Sequence, residues 1–138
     1  MQQKFFTLNF STEAKKLHNI TNEISNWVCA QEFKTGLLTV FVKHTSASLV
    51  IQENADPNVL RDLESFFSRI VPESKDYLHS AEGPDDMPSH IRSALTQTQL
   101  SIPLVDGELT LGIWQGIYLF EHRNNSFNRK IVLHLIGK

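Results

Sequence analysis

The sequence predicts an α+β domain, mostly antiparallel sheet with about three helices, and three observations carry that expectation. Phe6, Leu8 and Phe10 alternate with Phe5, Thr7 and Asn9 in residues 4–10, which reads as a strand. Asp106-Gly107 sits between two strand-like runs, a strong signal for a two-residue β-hairpin. Strands and helices do not alternate as repeated βαβ units, which argues against a parallel sheet. The 138 residues suit one domain spanning 1–138 with a single core.

The elements follow in order. In residues 4–10, Phe6, Leu8 and Phe10 share one face of the first strand. Thr21 can cap a helix running to about Gln31, with Ile24, Trp27 and Val28 on its apolar side. Gly36 is expected to break the chain before a strand at 37–43, read as buried on both faces. A second strand at 47–52 follows closely. Asp56 as N-cap, Pro57 at the first helical position and the stripe Leu60, Leu63, Phe67 and Ile70 define the clearest helix, which Pro72 ends. Residues 73–88 are polar and rich in Gly and Pro, a long loop of the kind that often carries function. A short helix at about 88–95, capped by Asp85 or Asp86, leads into strands at 100–105, 108–113, 116–122 and 130–136. Phe5, Phe6, Leu37, Phe41, Ile117 and Leu119 offer more apolar strand surface than three short helices cover, so self-association is expected.

Bulk chemistry narrows the function. Net charge is −2 with no basic block, so a nucleic-acid partner is not expected. No run approaches the roughly 20 apolar residues that span a bilayer, so no membrane role is expected either. The first ten residues lack the apolar centre of a signal peptide, and the lone Cys29 suits a reducing compartment. Cytoplasmic residence follows as an expectation, with Cys29 a buried, inert thiol.

Six histidines are the unusual feature. His44 ends the row Val40, Val42, His44 where a strand meets the turn Thr45-Ser46; it is either a core-edge residue bonded to backbone or part of a site. His79 and His90 bracket the acidic loop that contains Glu82, Asp85 and Asp86. They are either exposed loop residues or, if the loop folds back, neighbours. Adding His44 would then give three nitrogens and an open position, as in catalytic zinc sites. The carboxylates would orient the imidazoles, or remain solvated with one as a helix cap. Trp114 reads as core or as a site wall. Glu121 and Arg123, two apart on one strand, read as a structural ion pair, while Arg123 and Arg129 bracket a turn where guanidinium forks suit phosphate oxygens.

The stretches "KHTSASLVIQENADP", "EGPDDMPSHI", "LGIWQGIYLFEHR" and "RKIVLHLIG", with Val71-Pro72 between them, resemble the YjbQ-like family, also called secondary thiamine-phosphate synthases. The family's usual G-T-W-Q is Gly112-Ile113-Trp114-Gln115 here, and its L-G-x-S is Leu95-Thr96-Gln97-Thr98. The resemblance implies a compact trimer with sites near subunit boundaries and a weak, secondary thiamine-phosphate synthase activity. It implies metal, zinc or else magnesium, at His44, His79 and His90. Glu53, Asn54, Asp56, Asp86, Trp114, Gln115, Glu121 and Arg123 also match its pattern. The expected site therefore has Glu121 and Asp86 as catalytic groups, and Arg123, Ser46, Trp114 and Gln115 against a small phosphorylated metabolite. Two rival readings use the same groups: a metal-assisted hydrolase with Glu121 or Asp86 as base, and a ligand-binding trimer without turnover.

Overall fold

The computed structural model describes residues 1–74 and 76–138. Its elements run β1 (Gln2–Ser11), β2 (Leu17–Asn19), α1 (Thr21–Cys29), β3 (Thr35–Val42), β4 (Ala47–Glu53), α2 (Pro57–Ile70), α3 (Asp86–Leu95), β5 (Gln99–Val105), β6 (Glu108–Leu109), β7 (Gln115–Glu121) and β8 (Asn128–Gly137). Two antiparallel sheets result, one ordered β1-β8-β3-β5-β6 and the other β2-β7-β4. The expected α+β class, with three helices and antiparallel pairing, is what the chain adopts. No helix among the described residues is long and apolar enough to cross a membrane.

The core lies between the sheets. Leu38, Val40 and Val42 of β3, Ile131, Leu133 and Leu135 of β8, and Ile102 and Leu104 of β5 meet Ala47, Leu49, Ile117 and Leu119 of the smaller sheet, with Ile24 and Val28 of α1 at one end. Central strand β7 is buried on both faces: Ile117 and Leu119 enter this core, while Tyr118 and Phe120 face a second cluster with Leu17 and, from α2, Leu60, Leu63 and Phe67. Helix α3 buries Ser89 and Ser93 together with Arg92, and its two serines tie it to neighbouring backbone. Ser89 Oγ donates to the carbonyls of Asp85 and His122, and Ser93 Oγ to that of Ala47.

Several local expectations change. β2 is too short to show a periodicity; it pairs Leu17 with Phe120. Thr21 is not the cap of α1 but its first residue, its hydroxyl 2.6 Å from Asn19 Oδ1. Gly36 does not break the chain: it lies inside β3 beside Gly137, where any Cβ would collide with the Ile136 carbonyl oxygen. β3 is covered on one face only, leaving Leu37 and Phe41 exposed. The hairpin forms as read, with Asp106 and Gly107 both at positive φ, 52° and 84°, but β6 stops at Leu109. Cys29 is exposed, because one step past Val28 the helix turns about 100° away from its buried stripe.

Candidate functional site

Helix α3 begins at Asp86, two residues earlier than expected; Pro88 is tolerated because first-turn N–H groups need no intrahelical acceptor. The early start puts Asp86 and His90 four residues apart on one helical face. The 79–85 loop folds back over that face. His79 Nε2 lies 2.6 Å and His90 Nε2 3.2 Å from the same oxygen, Asp86 Oδ2. One ligand-type atom from each of His79, Asp86 and His90 lies within 4.8 Å of the others, the one such cluster among the described residues.

The surroundings fix these groups. Asp86, buried at 2 % exposure, receives Arg123 Nη1 on its other oxygen at 3.0 Å. Asp85 Oδ2 accepts from Arg123 Nε and from the Asn124 backbone N–H, both at 2.9 Å, and Arg123 Nη2 donates to the Glu82 carbonyl. Burial pushes both aspartates up. For Asp85 the Arg123 and Asn124 hydrogen bonds outweigh it, and for Asp86 the His79 bond and the His90 and Arg123 charges do, so both carboxyls end below their ordinary range. His90 Nδ1 lies 3.0 Å from the Thr45 carbonyl oxygen. A carbonyl only accepts, so Nδ1 carries a proton and Nε2 is directed at Asp86.

Of the sequence-predicted residues, His79, His90, Asp86 and Arg123 meet; the others do not join them. His44 is outside the cluster: its Nε2 accepts the Lys130 backbone N–H at 2.8 Å, extending the β3–β8 ladder past Val42. The core-edge reading of that nitrogen is therefore what the structure shows. Arg123 is consumed by Asp85 and Asp86 rather than open to phosphate, and its expected partner Glu121 binds elsewhere. Glu121 is fully buried, accepting from Arg129 Nε at 2.7 Å, Arg129 Nη2, Thr12 Oγ1 at 2.6 Å and the Arg123 N–H. With all four contacts made it has no free lone pair aimed at solvent and is not placed to act as a base. Ser46 Oγ accepts from Arg129 Nη2 at 3.1 Å. Trp114 and Gln115 stand at the opposite end of seven-residue β7 from Glu121, about 20 Å along the strand. Trp114 is 61 % exposed, and Gln115 Oε1 closes a turn by accepting the Gly112 N–H. Sequence reasoning missed the Thr45 carbonyl, which no side-chain pattern reveals, and the Glu121–Arg129 pair.

The family model described as UPF0047 protein YjbQ-like matches residues 6–138. The chain belongs to the YjbQ-like UPF0047 family. A UPF0047 protein from Synechocystis is 54 % identical over 95 % of this chain and 90 % of its own length. The YjbQ protein of Escherichia coli O157:H7 is 44 % identical over 96 % of each. An uncharacterised YjbQ/UPF0047-family crystal structure from Clostridium acetobutylicum superposes with a TM-score of 0.87 at 32 % identity, covering 95 % of this chain and 99 % of that one. The YjbQ-like fold is thus shared by the two chains.

Beside the cluster, His122 and Ser48 form a 2.8 Å contact that resembles a nucleophile–base pair, but both are fully buried and Thr96 Oγ1 closes on Ser48 Oγ at 2.5 Å. Burial, then the Arg92 and Arg129 charges, hold the His122 imidazole down to about 3. The unfolded chain takes up that proton near pH 6.5 and the native chain does not. Stability from His122 is therefore present above pH 6.5 and lost as pH falls toward 3, with a slope of up to about 1.4 kcal/mol per pH unit. Urea denaturation from pH 7 to 4.5 is expected to show this slope and H122Q to flatten it by about one proton; equal slopes would refute the assignment.

Proposed function

We propose that the chain is a divalent-cation-dependent protein acting on a small phosphorylated metabolite, with His79, Asp86 and His90 as the cation ligands and hydrolysis as the reaction. The observation that carries the reading is the convergence of two imidazole Nε2 atoms on one buried carboxylate oxygen, with one ring oriented from behind by a backbone carbonyl. Without an ion, both Nε2 atoms must carry protons to satisfy Asp86 Oδ2. For His90, whose Nδ1 proton is already committed to Thr45, that means a positive ring. A cation replaces those protons and leaves each group in its preferred ligand form. Two nitrogens and one oxygen, with the His79 side chain half-exposed, suit zinc better than magnesium, which prefers oxygen donors. A bound divalent ion would supply the charge that polarises a phosphoryl oxygen. Arg123 holds the loop and helix together by bridging Asp85 and Asp86.

The synthase reading is the weaker one on this geometry. Departure of a diphosphate needs cationic groups facing the ligand. Arg123 and Arg129 are both neutralised by carboxylates. Elemental analysis of purified protein, followed by assay of phosphomonoesters with and without chelation and zinc repletion, tests the proposal. About one ion per chain and chelator-sensitive hydrolysis support it. Metal-free protein that binds no added zinc refutes it.

We also propose that the chain works as a homotrimer, as its family resemblance implies. Phe5, 68 % exposed, and Leu37, 41 % exposed, lie on the outer face of the five-stranded sheet, and Val105 at the end of β5 is also exposed. Each leaves apolar area in water that a second copy would cover. F5E combined with L37E is expected to give monomers in sedimentation equilibrium with unchanged far-UV circular dichroism. Wild-type protein that is itself monomeric at micromolar concentration would rule the trimer out.

A further inference from the structure

His44 is not a ligand of the cluster, yet it stands beside it. It lines a cavity of about 330 Å³ together with His90, Ser93, Ala94, Thr45 and Thr98. It also lines an adjoining one of about 460 Å³ with Phe41, Lys43 and Ser46. The ring is thus a shared wall, and His90 links the first cavity to the cation ligands.

The hydrogen bond to Lys130 decides what that wall offers. The backbone N–H of Lys130 can only donate, so His44 Nε2 must present a lone pair. A neutral imidazole carries one proton, which therefore sits on Nδ1. Adding a second proton would set N–H against N–H and break the bond. Burial and the nearby Arg129, Lys130 and Lys43 charges oppose it further and outweigh the Glu121 carboxylate, which favours it. Nδ1 has no hydrogen-bond partner among the described residues and is not among the buried atoms left unpaired, so it keeps solvent access in a ring that lines both cavities.

We infer that His44 is a neutral imidazole locked with its proton on Nδ1, donating that proton to an oxygen of the phosphate-type ligand whose other oxygens approach the His79–Asp86–His90 cluster. The placement of the ligand rests on the proposed function; the protonation of the ring does not. His44 is then a ligand-binding residue that recognises an acceptor atom, and its neutrality lets it serve dianionic phosphate without surrendering a proton. One turn performs two tasks, since the Thr45 carbonyl that orients His90 follows directly on His44.

Two substitutions separate the nitrogens. H44Q places a carboxamide oxygen where Nε2 accepts from Lys130, keeping the strand junction while deleting the outward donor. H44N places an amide N–H where Nδ1 was. Long-range proton–nitrogen correlation spectra at pH 7 are expected to show Nδ1 protonated and Nε2 bare. Inorganic phosphate titrated into zinc-loaded protein should move the Nδ1 resonance. H44Q should weaken phosphate binding about 10- to 100-fold, the worth of a hydrogen bond to a charged group, and H44N should recover most of it. All three proteins should hold equal zinc. A proton on Nε2, a ring charged at pH 7, unchanged phosphate affinity in H44Q, or zinc lost from H44Q alone would each overturn the inference. If wild-type protein takes no zinc, the cation proposal fails, while the spectrum and a metal-free phosphate titration still decide the state and role of His44.

Discussion

Alanine at Glu121 is expected to cost about 3–5 kcal/mol, a large share of the roughly 5–15 kcal/mol that holds a domain of this size together. Two inward rows explain why. Ile117, Leu119 and Glu121 alternate along β7, and Leu135, Leu133, Ile131 and Arg129 along β8, so each apolar row ends in a charge and the two charges meet at the limit of the core. Removing the carboxylate strands a guanidinium that is 4 % exposed, leaving it the Ser46 oxygens and the Phe127 ring as neighbours. Thr12 also loses its acceptor across the chain, although its hydroxyl keeps the Phe127 carbonyl. The double change E121L/R129M should be less damaging than E121A alone, because no unpaired charge remains buried. Urea unfolding of the three proteins reads both comparisons. A loss under about 1 kcal/mol in E121A would show the pair to be solvated in solution.

That pair also marks the limit of what the sequence discloses. Helix α2 could be read closely, since Asp56 accepts the Asn58 N–H and Pro57 opens the helix as its residue type demands. The Asp106-Gly107 hairpin was equally plain, because only certain residues reach positive φ cheaply. These signals are local. Alternation pairs Glu121 with Arg123, because it puts residues two apart on one side of a strand, and β7 does obey that rule. The actual partner, Arg129, lies in the other sheet, and its choice depends on how the sheets pack, which no periodicity contains. Arg123 lies beyond the last residue of β7, where the chain turns toward the loop and finds Asp85. His44 fails for a related reason. The row Val40, Val42, His44 places it at a strand end, but the strand β8 that claims its Nε2 arrives from 86 residues away. His79 and His90 were legible as a pair only because a bent acidic loop separates them by a short distance in the chain.

Asp86 carries the second large effect: D86N should lower zinc affinity by more than about 100-fold, since outer-shell partners alone are commonly worth 10- to 100-fold. The carboxamide is nearly isosteric, so packing at the start of α3 is little disturbed, and Asp85 keeps its two bonds to Arg123 and Asn124. What disappears is the negative charge that both imidazoles address, together with the ion pair to Arg123 Nη1. Thermal shift makes the comparison sharp. Zinc at 100 times its dissociation constant stabilises a native-selective binder by about 2.7 kcal/mol, which for a chain of this length raises the melting temperature by roughly 6–10 °C. D86N should show almost none of that rise at the same zinc concentration. Proton release adds an independent reading, because an ion that displaces the Nε2 protons must free them to solvent, and calorimetry in buffers of different ionisation enthalpy counts them. Wild-type protein is expected to release at least one proton per zinc at pH 7. A zinc-dependent rise in melting temperature that survives in D86N would place the ion elsewhere, and the two histidines would then be no more than partners that tie the 79–85 loop to helix α3.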